Sequence, residues 1–271
     1  MEKSEEKQVE DWGSPSAGLP SVTLKLALDR NGAVDDLSDG PKRFTCPTSL
    51  DQVHRIRRDC GAVIVGVGTV VRDNPSLTVR RVPLAEGRGQ PVRVVLDTNV
   101  RLPGTSSCLR DGHQSVIFHS SGSERGMSRT RELAEEAARS KAPVEFVGLS
   151  PREPQGGVPL SAVLENLHQR GMKHVLVEGG PTTARSFLEE MLVDRAIIIR
   201  APVEFSRPVP SRIDVDTLRR AGLELLGATR WGDDDVECWS RSGQPWPQGA
   251  VPNWPRAKEG VGVPHDVPRV V

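Results

Sequence analysis

The sequence predicts an α/β fold, with a central, mostly parallel sheet, helices on both faces and an antiparallel C-terminal finish. Three observations predict it. Short β-branched runs alternate with helical patterns along most of the chain. Some of these runs, such as Ala62–Val67, are apolar at every position, as strands covered on both faces must be. The last two strand-like stretches, Leu223–Ala228 and Val236–Trp239, follow one another with no helix between them.

In order along the chain, Val22–Leu28 reads as a strand, with Val22, Leu24, Leu26 and Leu28 on one face and Thr23, Lys25 and Ala27 on the other. A polar turn at Asn31-Gly32 and a loop through Asp39-Gly40-Pro41 lead to a helix opened by Thr48 or Ser49. Its expected buried stripe is Leu50, Val53 and Ile56. Ala62–Val67, Val92–Leu96, Val116–Phe118 and Val144–Val147 are strands, and Arg129–Ser140 is an alanine-rich helix. Leu160, Val163, Leu164 and Leu167 recur at i, i+3, i+4 and i+7, a helix with one apolar face. His174–Val177 is a strand. Pro181 then opens a helix expected to bury Ala184, Phe187, Leu188 and Met191, and Ala196–Ile199 is a further strand.

This pattern assigns one domain to residues 20–240. Residues 1–19 are acidic and polar and are expected to be a disordered tail. Residues 241–271 are rich in proline and read as a loosely attached extended tail, with Trp246 and Trp254 as its candidate docking residues. Lysine plus arginine equals aspartate plus glutamate, 36 against 36, so no global field draws the chain to nucleic acid or to an acidic membrane. No apolar run is long enough to span a bilayer. Cys46, Cys60, Cys108 and Cys238 form no C-x-x-C pair, and no H-x-x-x-H occurs, so neither a metal site nor a disulfide framework is expected. With no signal or transit pattern at the acidic N-terminus, a reducing, cytoplasmic setting is the expectation.

Two stretches carry chemistry. Gly66-Val67-Gly68-Thr69 follows a buried strand and leads into Asp73-Asn74-Pro75 and Leu77-Thr78-Val79-Arg80. Glycines at the carboxyl end of a strand let a ligand approach the backbone, although Val71 breaks the dinucleotide G-x-G-x-x-G pattern. In Glu178-Gly179-Gly180-Pro181-Thr182-Thr183 a carboxylate ends a strand, two glycines turn the chain and proline takes the first helical position. That arrangement offers bare amides to a phosphate at the sheet edge where α/β proteins bind ligands. Lys25 shares the polar side of the first strand with Thr23.

These residues resemble a known family. V-T-L-K at Val22–Lys25, R-x-x-C-x-A-V-I-V-G-V-G-T-V-x-x-D-N-P-x-L-T-V-R from Arg57 to Arg80, P-V-R-V-V-L-D from Pro91 to Asp97 and V-L-V-E-G-G-P-T from Val175 to Thr182 carry the likeness. They are similar to the reductase half of the bacterial bifunctional riboflavin-biosynthesis deaminase–reductase and to the free-standing pyrimidine reductases of fungi and archaea. The resemblance implies a dihydrofolate-reductase-like fold, NADPH as cofactor and a homodimer. The implied reaction reduces the ribosylamino side chain of a pyrimidine 5′-phosphate to ribitylamino. It implies NADPH contacts at Ala27, Thr69, Asp73, Thr98, Gly179, Gly180, Pro181, Thr182 and Thr183, and substrate contacts at Arg57, Leu77, Arg80 and Glu178. Arg57 and Arg80 suit a 5′-phosphate. Lys25, Asp73 and Glu178 are the ionisable groups for the proton transfers that sugar opening requires. Neither H-x-E nor P-C-x-x-C occurs, so no deaminase zinc chemistry is expected. Asp29-Arg30-Asn31-Gly32, the Pro41–Phe44 loop and Glu204-Phe205-Ser206 depart from the family pattern. The deaminated and the diamino pyrimidine both remain candidate substrates. Another NADPH substrate on the same fold, or a degenerate non-catalytic homologue, are the alternatives.

Overall fold

The computed structural model describes residues 18–38, 43–121, 124–150, 157–244 and 246. The chain runs β1 (Ser21–Leu28), β2 (Ala33–Asp36), α1 (Pro47–Arg58), β3 (Ala62–Gly66), α2 (Val67–Asp73), β4 (Val92–Leu96), α3 (Ser107–Arg110), β5 (Ser115–Ser120) and α4 (Glu124–Arg139). It continues with β6 (Val144–Leu149), α5 (Leu160–Gln169), β7 (His174–Val177), α6 (Pro181–Glu189), β8 (Arg195–Arg200), β9 (Pro208–Pro210), α7 (Val215–Arg220), β10 (Leu223–Trp231) and β11 (Asp234–Arg241).

Nine strands form one sheet in the order β10-β11-β8-β1-β7-β3-β4-β5-β6, while β2 and β9 pair in a separate ribbon. From β8 to β6 all neighbours are parallel, and β11 and β10 add the antiparallel finish. The α/β architecture expected from the sequence is the one observed. Alternation sorts the strand side chains into two layers. One carries Leu24, Ile64, Val177 and Ile198 against Leu164 and Leu167 of α5 and Phe187 of α6. On the other, Val65, Val95 and Ile117 meet Val70 of α2 and Leu133 of α4, while Leu176 and Ile197 meet Val53 and Ile56 of α1. Helices therefore cover both faces.

The differences from expectation have local causes. The first predicted helix begins at Pro47, capped by Cys46 rather than by Thr48 or Ser49. Proline is preset for the first helical position, where it has no amide to leave unpaired. The buried stripe turns with it: Ser49, Val53, His54 and Ile56 are buried, and Leu50 only half so. The strand expected to reach Val67 stops at Gly66, because Val67 already begins α2. Met191 is not core. The helix ends first, and Met191 takes a left-handed φ of 54° with 61% of its surface exposed. β2, α3, β9 and α7 are too short to impose a period on the sequence, and β9 is bounded by prolines.

Trp246 packs on the α1-side cluster, with the guanidinium of buried Arg195 5.9 Å from its ring centroid. Trp254, the Asp39–Pro41 loop, residues 1–17 and residues 247–271 lie outside the described residues. All four cysteines are free. Among the described residues no helix is long and apolar enough to cross a membrane, and no group of side chains could hold a metal ion.

Candidate active site

Because β1, β7, β3 and β4 are parallel neighbours, the segments at their carboxyl ends share one edge of the sheet. A cleft of about 710 Å³ opens there. Every residue expected to contact the cofactor lines it: Ala27 from β1, Thr69 and Asp73 from α2, Thr98 after β4, and Gly179, Gly180, Pro181, Thr182 and Thr183 at the start of α6. Two chain segments are tied together at its floor, where the Gly180 amide donates to Thr69 Oγ1 at 3.1 Å. No side chain caps α6. The amides of Thr182 and Thr183, in the first turn, have no helical acceptor, and both residues line the cleft.

Lys25 and Glu178 form the polar end of this cleft. Glu178 is 5% exposed, and both its oxygens accept from the Arg57 fork, through Nε and through Nη2 at 2.9 Å. Lys25 Nζ lies 3.5 Å from Oε2. Burial alone would push this carboxyl up, but the Arg57 guanidinium and then the Lys25 ammonium outweigh it and hold the pKa at about 2. Glu178 is therefore an ionised acceptor at neutral pH, not a stored proton. Arg57, expected to hold phosphate, already spends its fork on Glu178 and its Nη1 on the Thr78 carbonyl at 3.3 Å. Asp73 lines the same cleft, but its electrostatic neighbours are Asp35 and Arg72 rather than Lys25 or Glu178. Burial, then Asp35, raise its pKa.

The segment from Ser76 to Arg80 belongs to no strand and is held by side chains from three directions. Arg93, fully buried on β4, donates to the Ser76 carbonyl at 3.4 Å. Gln90 takes both polar groups of Val79, accepting its amide at 2.7 Å and donating to its carbonyl at 2.9 Å. His54 Nδ1 accepts the Arg80 amide at 3.1 Å. Burial, and then the charges of Arg57 and Arg80, bring the His54 pKa down to about 4, which keeps that acceptor unprotonated. Leu77 takes a left-handed φ of 55°, and its side chain packs with Val67, Val70 and Leu102. Leu77 is thus core here, not a wall of the cleft. Arg80 is exposed, and its pKa is lowered by partial burial and by Arg43, Arg57 and Arg81 around it, a crowding of cations that an anion would relieve. Replacing Gln90 by alanine strands two backbone groups of buried Val79, and should cost about 1–3 kcal/mol in urea unfolding.

The sequence departures turn out to touch each other. Buried Asp29 accepts from the amides of Asn31 and Ala33 and, through its other oxygen, from Phe205 at 3.1 Å. Phe205 in turn meets Phe44 edge-on, with centroids 4.9 Å apart, and Phe44 lines the cleft. Sequence reading missed His54, Gln90 and Arg101. Only Arg101 carried a usable signal, a cation three residues after Thr98 in the segment that follows a strand.

The sequence profile described as the RibD C-terminal domain matches residues 20–227. The chain belongs to that family. It is 32% identical over 215 residues to an Archaeoglobus fulgidus protein named 2,5-diamino-6-ribosylamino-4(3H)-pyrimidinone 5′-phosphate reductase, a match covering 76% of this chain and 92% of that one. A Methanothermobacter thermautotrophicus protein of the same name is 35% identical, covering 68% and 78%. The riboflavin biosynthesis protein RibD of Aquifex aeolicus is 33% identical over 68% of this chain, which spans only 46% of it. Among solved structures, Acinetobacter baumannii RibD superposes with a TM-score of 0.66 at 26% identity, covering 83% of this chain and 59% of that one.

Proposed function

We propose that this RibD-family chain is an NADPH-dependent oxidoreductase that reduces the ribosylamino side chain of a pyrimidine 5′-phosphate to ribitylamino, a step of riboflavin biosynthesis. The observation that carries the proposal is the Lys25–Glu178–Arg57 group at one end of a cleft whose other walls are the expected cofactor residues. The cleft suits a dinucleotide. α6 presents uncapped amides to a diphosphate, and a Cβ on Gly68 would meet nothing within 4 Å, so bare backbone faces open space. NADPH held there would supply the hydride for the sugar carbon. Lys25, in the lining of the same cleft, would deliver a proton from Nζ to the ring oxygen as the sugar opens. Ionised Glu178 holds the Lys25 ammonium in position at 3.5 Å and accepts from sugar hydroxyls. Arg80, with Arg43 and Arg81 near it, takes the 5′-phosphate.

The test is NADPH oxidation by the purified chain, supplied with the deaminated or the diamino phosphorylated pyrimidine. No oxidation with either refutes the proposal. The archaeal relatives are named for the diamino form. A homodimer belongs to the same proposal, and sedimentation of a single monomeric species would remove it. Arg80→Ala should raise KM for the phosphorylated substrate about ten- to a hundredfold and leave the dephosphorylated one unaffected. An equal loss on both substrates would show that Arg80 does not read the phosphate.

A further inference from the structure

The cleft's described cations are Lys25, Arg72 and Arg101. Lys25 faces Glu178, and Arg72 is held by Asp35 through Nε at 2.8 Å. Arg101 is exposed, and among the described residues no carboxylate or carbonyl holds its guanidinium. It follows β4, whereas Glu178 follows β7, two strands away in the sheet. From β1, which carries Lys25, the sheet order to β4 passes β7 and β3, three strand spacings or about 14 Å. An extended dinucleotide whose reacting ring lies by Lys25, and whose diphosphate lies by Thr182 and Thr183, brings its adenosine to the segment after β4.

That segment is built rather than loose. Fully buried Asp97 accepts the Arg101 amide at 2.9 Å through one oxygen and the Leu102 amide at 2.8 Å through the other. Between them Val100, a β-branched residue, is forced into a left-handed φ of 51° and buried. A backbone strained in this way persists only where its surroundings over-determine it, and such strain gathers at binding sites. Here it turns Thr98, Asn99 and Arg101 together into the cleft. Beyond Arg101 the surface continues into a second hollow walled by Gly126, Ser128 and Arg129. Arg129 is committed to Glu132 at 2.9 Å and to the Leu102 carbonyl, so it adds field without being available as a fork.

We infer that Arg101 reads the 2′-phosphate of NADPH and so sets the choice of the phosphorylated over the unphosphorylated nicotinamide cofactor. The inference rests on the proposed cofactor, and the experiment separates the two. Full-length chain is titrated with NADPH and with NADH by fluorescence, and each is competed with adenosine 2′,5′-bisphosphate or with 5′-AMP. Wild type should favour NADPH and the bisphosphate. Arg101→Ala should weaken both about ten- to a hundredfold while leaving NADH and 5′-AMP within about twofold, and Arg101→Lys should recover part of the loss. Unliganded melting should not move, because the Arg101 side chain holds no other group. A wild type that prefers NADPH beside an Arg101→Ala variant with the same preference overturns the inference and leaves the cofactor proposal standing. A wild type that binds neither cofactor, or both equally, overturns both.

Discussion

Glu178→Gln should cost the protein both stability and turnover. The substitution keeps the size of the side chain but removes the one negative charge between Arg57 and Lys25, which are 11% and 18% exposed. Stranding buried partners in this way costs about 3–5 kcal/mol, so the loss should be plain in urea unfolding at neutral pH. Turnover should fall about a hundredfold or more, since Lys25 loses the carboxylate that positions its Nζ for proton delivery. Acid gives an independent check. The Glu178 carboxyl titrates at about 2 in the folded protein against 4.5 for its ordinary value. Its contribution of about 3 kcal/mol is thus complete above pH 4.5 and fades as the pH falls towards 2. Wild type and Glu178→Gln should therefore converge in stability over that window. Parallel curves, or wild-type turnover in the variant, would reduce the ion group to a surface contact.

Gly179→Ala should disable the cofactor side of the cleft. A Cβ at this position would lie 2.5 Å from Thr183 Cβ and 2.7 Å from its Cγ2, inside any real contact. The first turn of α6 must then move away from β7, at a cost of about 1–3 kcal/mol, and the amides of Thr182 and Thr183 leave their aim. We expect NADPH affinity to drop by about tenfold or more at that strain, measured by fluorescence titration. The cause is identified by the double variant Gly179→Ala with Thr183→Gly, which removes the obstructing side chain and should restore much of the binding. If the single variant binds NADPH normally, the turn is not part of a cofactor cradle.

Much of this was legible in the sequence because it is local. Strand residues such as Val63, Ile64 and Val65 declare themselves by composition, and Gly-Gly-Pro after Glu178 announces a turn into a helix. Since parallel strands place their following loops on one edge, motifs far apart in sequence could be assigned to one cleft. What stayed hidden depends on pairing at a distance. Arg57 and Glu178 are 121 residues apart, so nothing in either motif says that one occupies the other's fork. The same holds for Gln90 acting as a stand-in strand for Val79, and for His54 under Arg80. Leu77, which the resemblance puts at the substrate, packs in the core instead, on a left-handed backbone that the flanking residues do not announce. Met191, expected in the core, is exposed on a backbone of the same kind at the end of α6.

The position of β1 has a consequence for how the molecule is made. This strand opens the described chain, yet its neighbours are β7 and β8: Ser21 pairs with His174 and Thr23 with Arg195. At roughly 5–20 residues per second, a ribosome needs on the order of ten to thirty seconds to pass from Lys25 to Glu178. Throughout that interval a strand that carries Val22, Leu24, Leu26 and Leu28 on one face has no partner, while β3, β4, β5 and β6 can already assemble. Such long-range closure is slow and leaves an edge open to other chains. The nascent protein thus carries its β3–α2 loop early and brings Lys25, Arg57 and Glu178 together only once β7 is in place.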